Sequence, residues 1–133
     1  MQALYYDNAL FLFAIHAPAL IQFLVGTLLF SHGYAKKPHF AARMVTGITI
    51  ALLAFAAVLV PIAGLPMQTL AGSVLKSILI YAFLLAENYI LLRITFDESR
   101  RYILTGLMTG YAYQHFCSQV CLCIYALFSQ DFD

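Results

Sequence analysis

Six side chains are polar or ionisable and yet sit inside long apolar runs: His16, Gln22, Lys76, Glu87, Gln114 and His115. Residues of this kind are costly in lipid and mark ligand sites, proton relays or interhelical hydrogen bonds. Lys76 and Glu87 are eleven residues apart. On a helix they share a face but stand about 16 Å apart along the axis, so each needs a partner from elsewhere. Lys76 either snorkels to the headgroups or serves as a charge site. Glu87 is paired with Arg93 through water, kept neutral by burial, or used for a ligand or a proton. For Gln22, Gln114 and His115 the plain alternative to ligand binding is hydrogen bonding between helices.

Cys117 and Cys121 are four residues apart, with His115 nearby and Cys123 beyond. A thiolate metal site would need deprotonated ligands inside lipid and a fourth donor, whereas isolated cysteines in apolar helices behave as small apolar residues. No metal site and no disulfide framework is expected. Gly106 and Gly110 form a G-x-x-x-G pattern, with Thr105 and Thr109 at the same spacing. Such small residues let helices approach closely, inside one bundle or in a homodimer. No nucleophile elbow, phosphate-binding glycine loop or H-E-x-x-H occurs, so no catalytic residue and no cofactor is expected.

The elements that position these residues follow from composition. Of 133 residues, 63% are apolar and 10% charged, against about 45–50% and about 25% in soluble domains. Crossing roughly 30 Å of hydrocarbon takes about 20 apolar residues. Four segments meet this length: 9–31, 44–63, 70–94 and 102–128. Backbone polar groups in lipid must be satisfied within the segment, so each is read as a helix. The absence of alternation argues against a membrane β-barrel. The fold class is therefore all-α, a single domain over 1–133 in which four transmembrane helices form an integral membrane bundle.

Charge sets the orientation. Lys36, Lys37 and Arg43 fall in the first connection, and Arg93, Arg100 and Arg101 in or beside the third. The connection around Gly64 and Pro66 carries none. Lys and Arg collect on the cytoplasmic side. Connections one and three are thus expected inside, and the middle connection and both termini, near Asp7, Asp131 and Asp133, outside. The N-terminus lacks the basic start of a cleaved signal peptide, so the first segment is read as a retained span. On this frame His16 and Lys76 fall in the outer third, Gln22, Gln114 and His115 near the middle, and Glu87 in the inner third. The net charge of +1 offers no field that would recruit nucleic acid.

The stretch 89–104, containing Phe96-Asp97-Glu98-Ser99, followed by Gly110-Tyr111-Ala112-Tyr113-Gln114-His115, resembles the membrane-embedded N-terminal sensor region of bacterial GHKL-type, quorum-sensing-like histidine kinases. The turn Lys37-Pro38-His39-Phe40-Ala41-Ala42-Arg43 is similar to that family's basic R-x-x-F-x-x-R turn, with Lys at the first basic position. The resemblance implies a bacterial plasma-membrane signal-input module of a two-component system. It would receive a small or peptide signal at Gln114, His115, Glu87, Gln22 and His16. Members of that family continue into further spans, a phosphoacceptor helix and an ATP-binding domain. None of these occurs within this chain, which is expected to lack kinase activity of its own, as a truncated input region or a free-standing relative. A second reading is a small transporter or channel subunit acting as an oligomer, with Lys76 and Glu87 at the two ends of a path. Against it, no inverted repeat or matched pair of broken helices is visible.

Overall fold

The computed structural model describes residues 9–65 and 70–129. Asp7, Pro66, Asp131 and Asp133, invoked above for the outer face, lie outside the described residues. Among the described residues four helices follow in chain order: α1 (Ala9–Phe30), α2 (Phe40–Ala63), α3 (Leu70–Thr95) and α4 (Arg100–Ser129). α1, α2 and α3 are long and apolar enough to cross a membrane. α4 is the longest, at 30 residues, but carries Thr, Tyr, Gln, His and Ser through its first two thirds.

The helices reach beyond the apolar runs at the charged ends. α2 begins at Phe40 rather than 44, and α4 at Arg100 rather than 102. Hydropathy locates the lipid boundary, whereas backbone hydrogen bonding continues through polar turns that face headgroups. Ser99 starts α4: its carbonyl accepts from the Ile103 N–H at 3.1 Å and its hydroxyl from the Tyr102 N–H at 3.4 Å, the usual role of an N-cap serine. Entry into α2 is less regular. His39 adopts φ 57°, in the left-handed region, and makes no side-chain cap bond. Pro18 lies inside α1 and removes one backbone donor from the helix ladder.

Short connections make sequential helices antiparallel neighbours. α1 packs against α2 and α4, α3 packs against α2 and α4, and α1 touches α3 across the middle. One apolar core joins Leu12, Leu20 and Leu24 of α1 to Phe55 and Leu59 of α2 and to Ile80, Leu84 and Leu91 of α3. A second, around Phe23, Leu92, Phe96, Ile103 and Leu107, closes the end where α4 begins.

At that end the two basic connections are tied together. The Lys37 N–H donates to the Thr95 carbonyl at 3.0 Å, and the Asp97 N–H to the Ala35 carbonyl at 2.8 Å. Lys36 and Phe96 thereby form an isolated antiparallel bridge. Phe96 is buried beneath it, edge-on to Tyr34 and tilted against Phe40.

Candidate functional site

The closest approach of α1 and α4 is made by glycines. A Cβ placed on Gly110 would lie 2.8 Å from the backbone N and Cα of Thr27, and one on Gly26 would lie 3.2 Å from the Gly110 carbonyl oxygen. Gly106 faces the Ser31 hydroxyl and the Tyr34 phenol. The G-x-x-x-G pattern of α4 is therefore occupied inside the chain, against α1 and the first connection. Phe23 packs edge-on to Tyr111, and Phe30 to Tyr113, on either side of the crossing.

One turn beyond the crossing, Gln22 and Gln114 face each other. The Gln114 amide approaches the Gln22 side-chain oxygen at 3.5 Å and the Ser118 hydroxyl at 3.3 Å. Past this pair the C-terminal part of α4 is uncovered. Residues 119–128 of α4 are all exposed, so for nearly three turns the helix has no buried stripe. Beside the pair an open groove of about 720 Å³ runs from residues 21–26 of α1 along α4, lined by Gln22, Gln114, Cys117, Ser118, Cys121 and Tyr125 with apolar residues of both helices. Among the described residues no Lys, Arg, Asp or Glu lines it. A mostly apolar groove with a few convergent amides and a hydroxyl has the usual make-up of a small-molecule site.

The other sequence candidates are dispersed. His115, next to Gln114, is exposed and stacks on Tyr111, with ring centroids 6.2 Å apart. His16 is half-buried, its Nδ1 2.9 Å from the Leu12 carbonyl oxygen, and borders a separate cleft of about 390 Å³ with Lys76 and Ser77. Lys76 is 2% exposed and donates to the Ala63 carbonyl, at the end of α2, at 3.1 Å. A cation there satisfies a terminal carbonyl and complements the negative end of the helix. Glu87 has both carboxylate oxygens shielded and without a hydrogen-bond partner among the described residues. Arg93 is turned away, donating instead to the Glu98 carbonyl at 3.0 Å.

Of the sequence candidates, Gln22 and Gln114 are thus brought together, and His16, His115 and Glu87 are elsewhere. Ser118 and Gly26 belong to the same junction and were not singled out from sequence. Ser118 could have been found as the i+4 neighbour of Gln114, and Gly26-Thr27 as the small-residue mate of the glycines on α4. Among the described residues no group of three or more His, Cys, Asp or Glu could hold a metal ion, and all three cysteines are free thiols. Outside the helices, Tyr34 donates its hydroxyl to the Tyr102 carbonyl. Its phenol is raised above the ordinary tyrosine range, first by burial and then by the nearby Glu98 carboxylate, against an opposing backbone hydrogen bond at Gly106. No family model matches the chain, and no curated protein or solved structure matches it.

Proposed function

We propose that this chain is a membrane-embedded signal-input module of the sensor-histidine-kinase type. Its four spans would place the basic connections in the cytoplasm of a bacterial cell and both termini outside. The observation that carries the reading is the Gln22–Gln114–Ser118 junction at the base of an uncharged groove, directly beside a glycine crossing. A signal can act only through a difference in affinity between two arrangements of the bundle. A ligand seated in the groove, against α4 and residues 21–26 of α1, would favour one angle over another, with Gly26 and Gly110 as the fulcrum. The change would reach the opposite end through Tyr34, which joins the first connection to the start of α4. Uncharged signals that enter laterally from lipid suit the groove better than charged ones, because no described residue lining it would compensate a charge.

The test is a distance measurement in membranes. Spin labels are placed on the outer ends of α1 and α4, at positions 14 and 124, after replacing the three native cysteines. The interlabel distance is measured with and without medium conditioned by the expressing organism. Two distances whose proportions shift with the medium, and no longer shift in Gln114→Ala, support the reading. One invariant distance, or a shift indifferent to Gln114→Ala, contradicts it.

A further inference from the structure

Six of the protein's seven Lys and Arg residues gather at the end where the two connections are tied together. Their surroundings divide them. The Lys37 ammonium donates to the Arg93 carbonyl at 2.7 Å. Arg43 donates to the Pro38 carbonyl at 3.0 Å and the Ile94 carbonyl at 3.3 Å. Arg93 donates to the Glu98 carbonyl. These three hold the junction together through backbone oxygens. Lys36 is exposed, its ammonium 5.0 Å from the centre of the Phe40 ring. Arg100 and Arg101 are exposed, and their guanidinium groups have no hydrogen-bond or ion-pair partner among the described residues. The acidic residues of this end do not neutralise them. Glu98 accepts from the Ala35 N–H at 3.1 Å, and neither Asp97 nor Glu98 forms an ion pair with a described residue.

These unpaired guanidinium groups occur where apolar helices end, beside exposed Tyr102, at the level where a bilayer presents its phosphates. Guanidinium matches phosphate through paired donors, and basic residues next to a membrane-spanning helix concentrate anionic lipid. We propose that Arg100 and Arg101, with Lys36 beside the same connection, form a docking rim for the headgroups of anionic phospholipids. The proposal goes beyond signal input and needs only that the bundle lie in a bilayer. Charge complementarity selects the occupant: six cations against two carboxylates attract a polyanionic surface, and a zwitterionic headgroup returns its own cation to the rim. The two guanidinium groups do not hold the fold together, because neither has a partner among the described residues.

The test uses the full chain reconstituted in phosphatidylcholine vesicles containing spin-labelled phosphatidylglycerol or spin-labelled phosphatidylcholine. The relative association of the two lipids with the protein is read from the motionally restricted component. The wild type is expected to prefer phosphatidylglycerol, with a preference that falls as salt is raised. Removing either Arg100 or Arg101 should lower that preference roughly fivefold, so Arg100→Gln/Arg101→Gln should come close to abolishing it. Arg100→Lys/Arg101→Lys should retain most of it, and Arg43→Gln should lower it least. Equal association of the two lipids with the wild type, a preference insensitive to salt, or one unchanged by Arg100→Gln/Arg101→Gln would overturn the proposal. So would loss of the preference in millimolar inorganic phosphate at constant ionic strength, which would assign the arginines to a soluble anion. The salt titration needs no variant, so misfolding of a variant leaves the proposal open to refutation.

Discussion

At the scale of single residues, the polar groups inside the apolar helices differ in how far they are satisfied. Lys76 is bonded to Ala63, so Lys76→Met is expected to cost roughly 1.5–3 kcal/mol, the worth of a hydrogen bond to a charged donor. Chemical or thermal denaturation in detergent would measure it. Tyr34 makes a prediction about pH. Its phenol is raised above the usual range, so the folded state favours the neutral, donating form. Its contribution is complete below the tyrosine pKa of the unfolded chain and is lost as pH rises through the higher folded value. Tyr34→Phe should therefore be less stable than wild type by roughly 0.5–1.5 kcal/mol near neutrality, and the gap should close at strongly alkaline pH. A gap that persists there would mean the hydroxyl matters for packing and not as a donor. Sequence marked Gln22 and Gln114 because an amide in an apolar run is conspicuous at any depth. It did not mark Tyr34 or separate Gln114 from His115, because the side on which a helix residue faces its neighbour depends on the partner helix.

At the scale of elements, the helices were legible because apolar length and backbone satisfaction in lipid leave little choice. Their pairing was not. The spacing of Gly106 and Gly110 announces a close approach, but the identity of the mate, Gly26-Thr27 of α1, is a property of the crossing. The crossing gives a graded prediction. Gly110→Ala sets a methyl group 2.8 Å from the Thr27 backbone, which only a shift of a whole helix can relieve, so it should destabilise the bundle by about 1–3 kcal/mol. Gly47→Ala meets the Leu91 methyl group, a flexible side-chain end, and should cost less. Thermal denaturation of both variants in one detergent checks the order. If Gly47→Ala proved the more damaging, α1 and α4 would not be in backbone contact. The exposure of α4 beyond Gln114 had no sequence signal, since residues 119–128 read as an apolar run whether or not another helix covers them.

At the scale of the whole molecule, the account rests on four crossings with the basic connections inside. The bundle joins those connections directly, through Lys37 to Thr95 and Asp97 to Ala35, so they share a side whatever the orientation. α4 is the element on which the account is most exposed, since it is the one helix of the four that falls short of membrane-spanning hydropathy over the described residues. Its length of 30 residues corresponds to about 45 Å, ample for a crossing at 1.5 Å per residue. The deciding measurement is labelling of single cysteines by an impermeant thiol reagent in intact cells. Lys36→Cys, Leu65→Cys and Asp131→Cys are each made in a chain whose three native cysteines are replaced by alanine. Labelling at positions 65 and 131, with position 36 protected until the membrane is permeabilised, is the expected result. Labelling at 36 with protection of 65 would invert the orientation, and protection of 131 together with 36 would show that α4 does not cross.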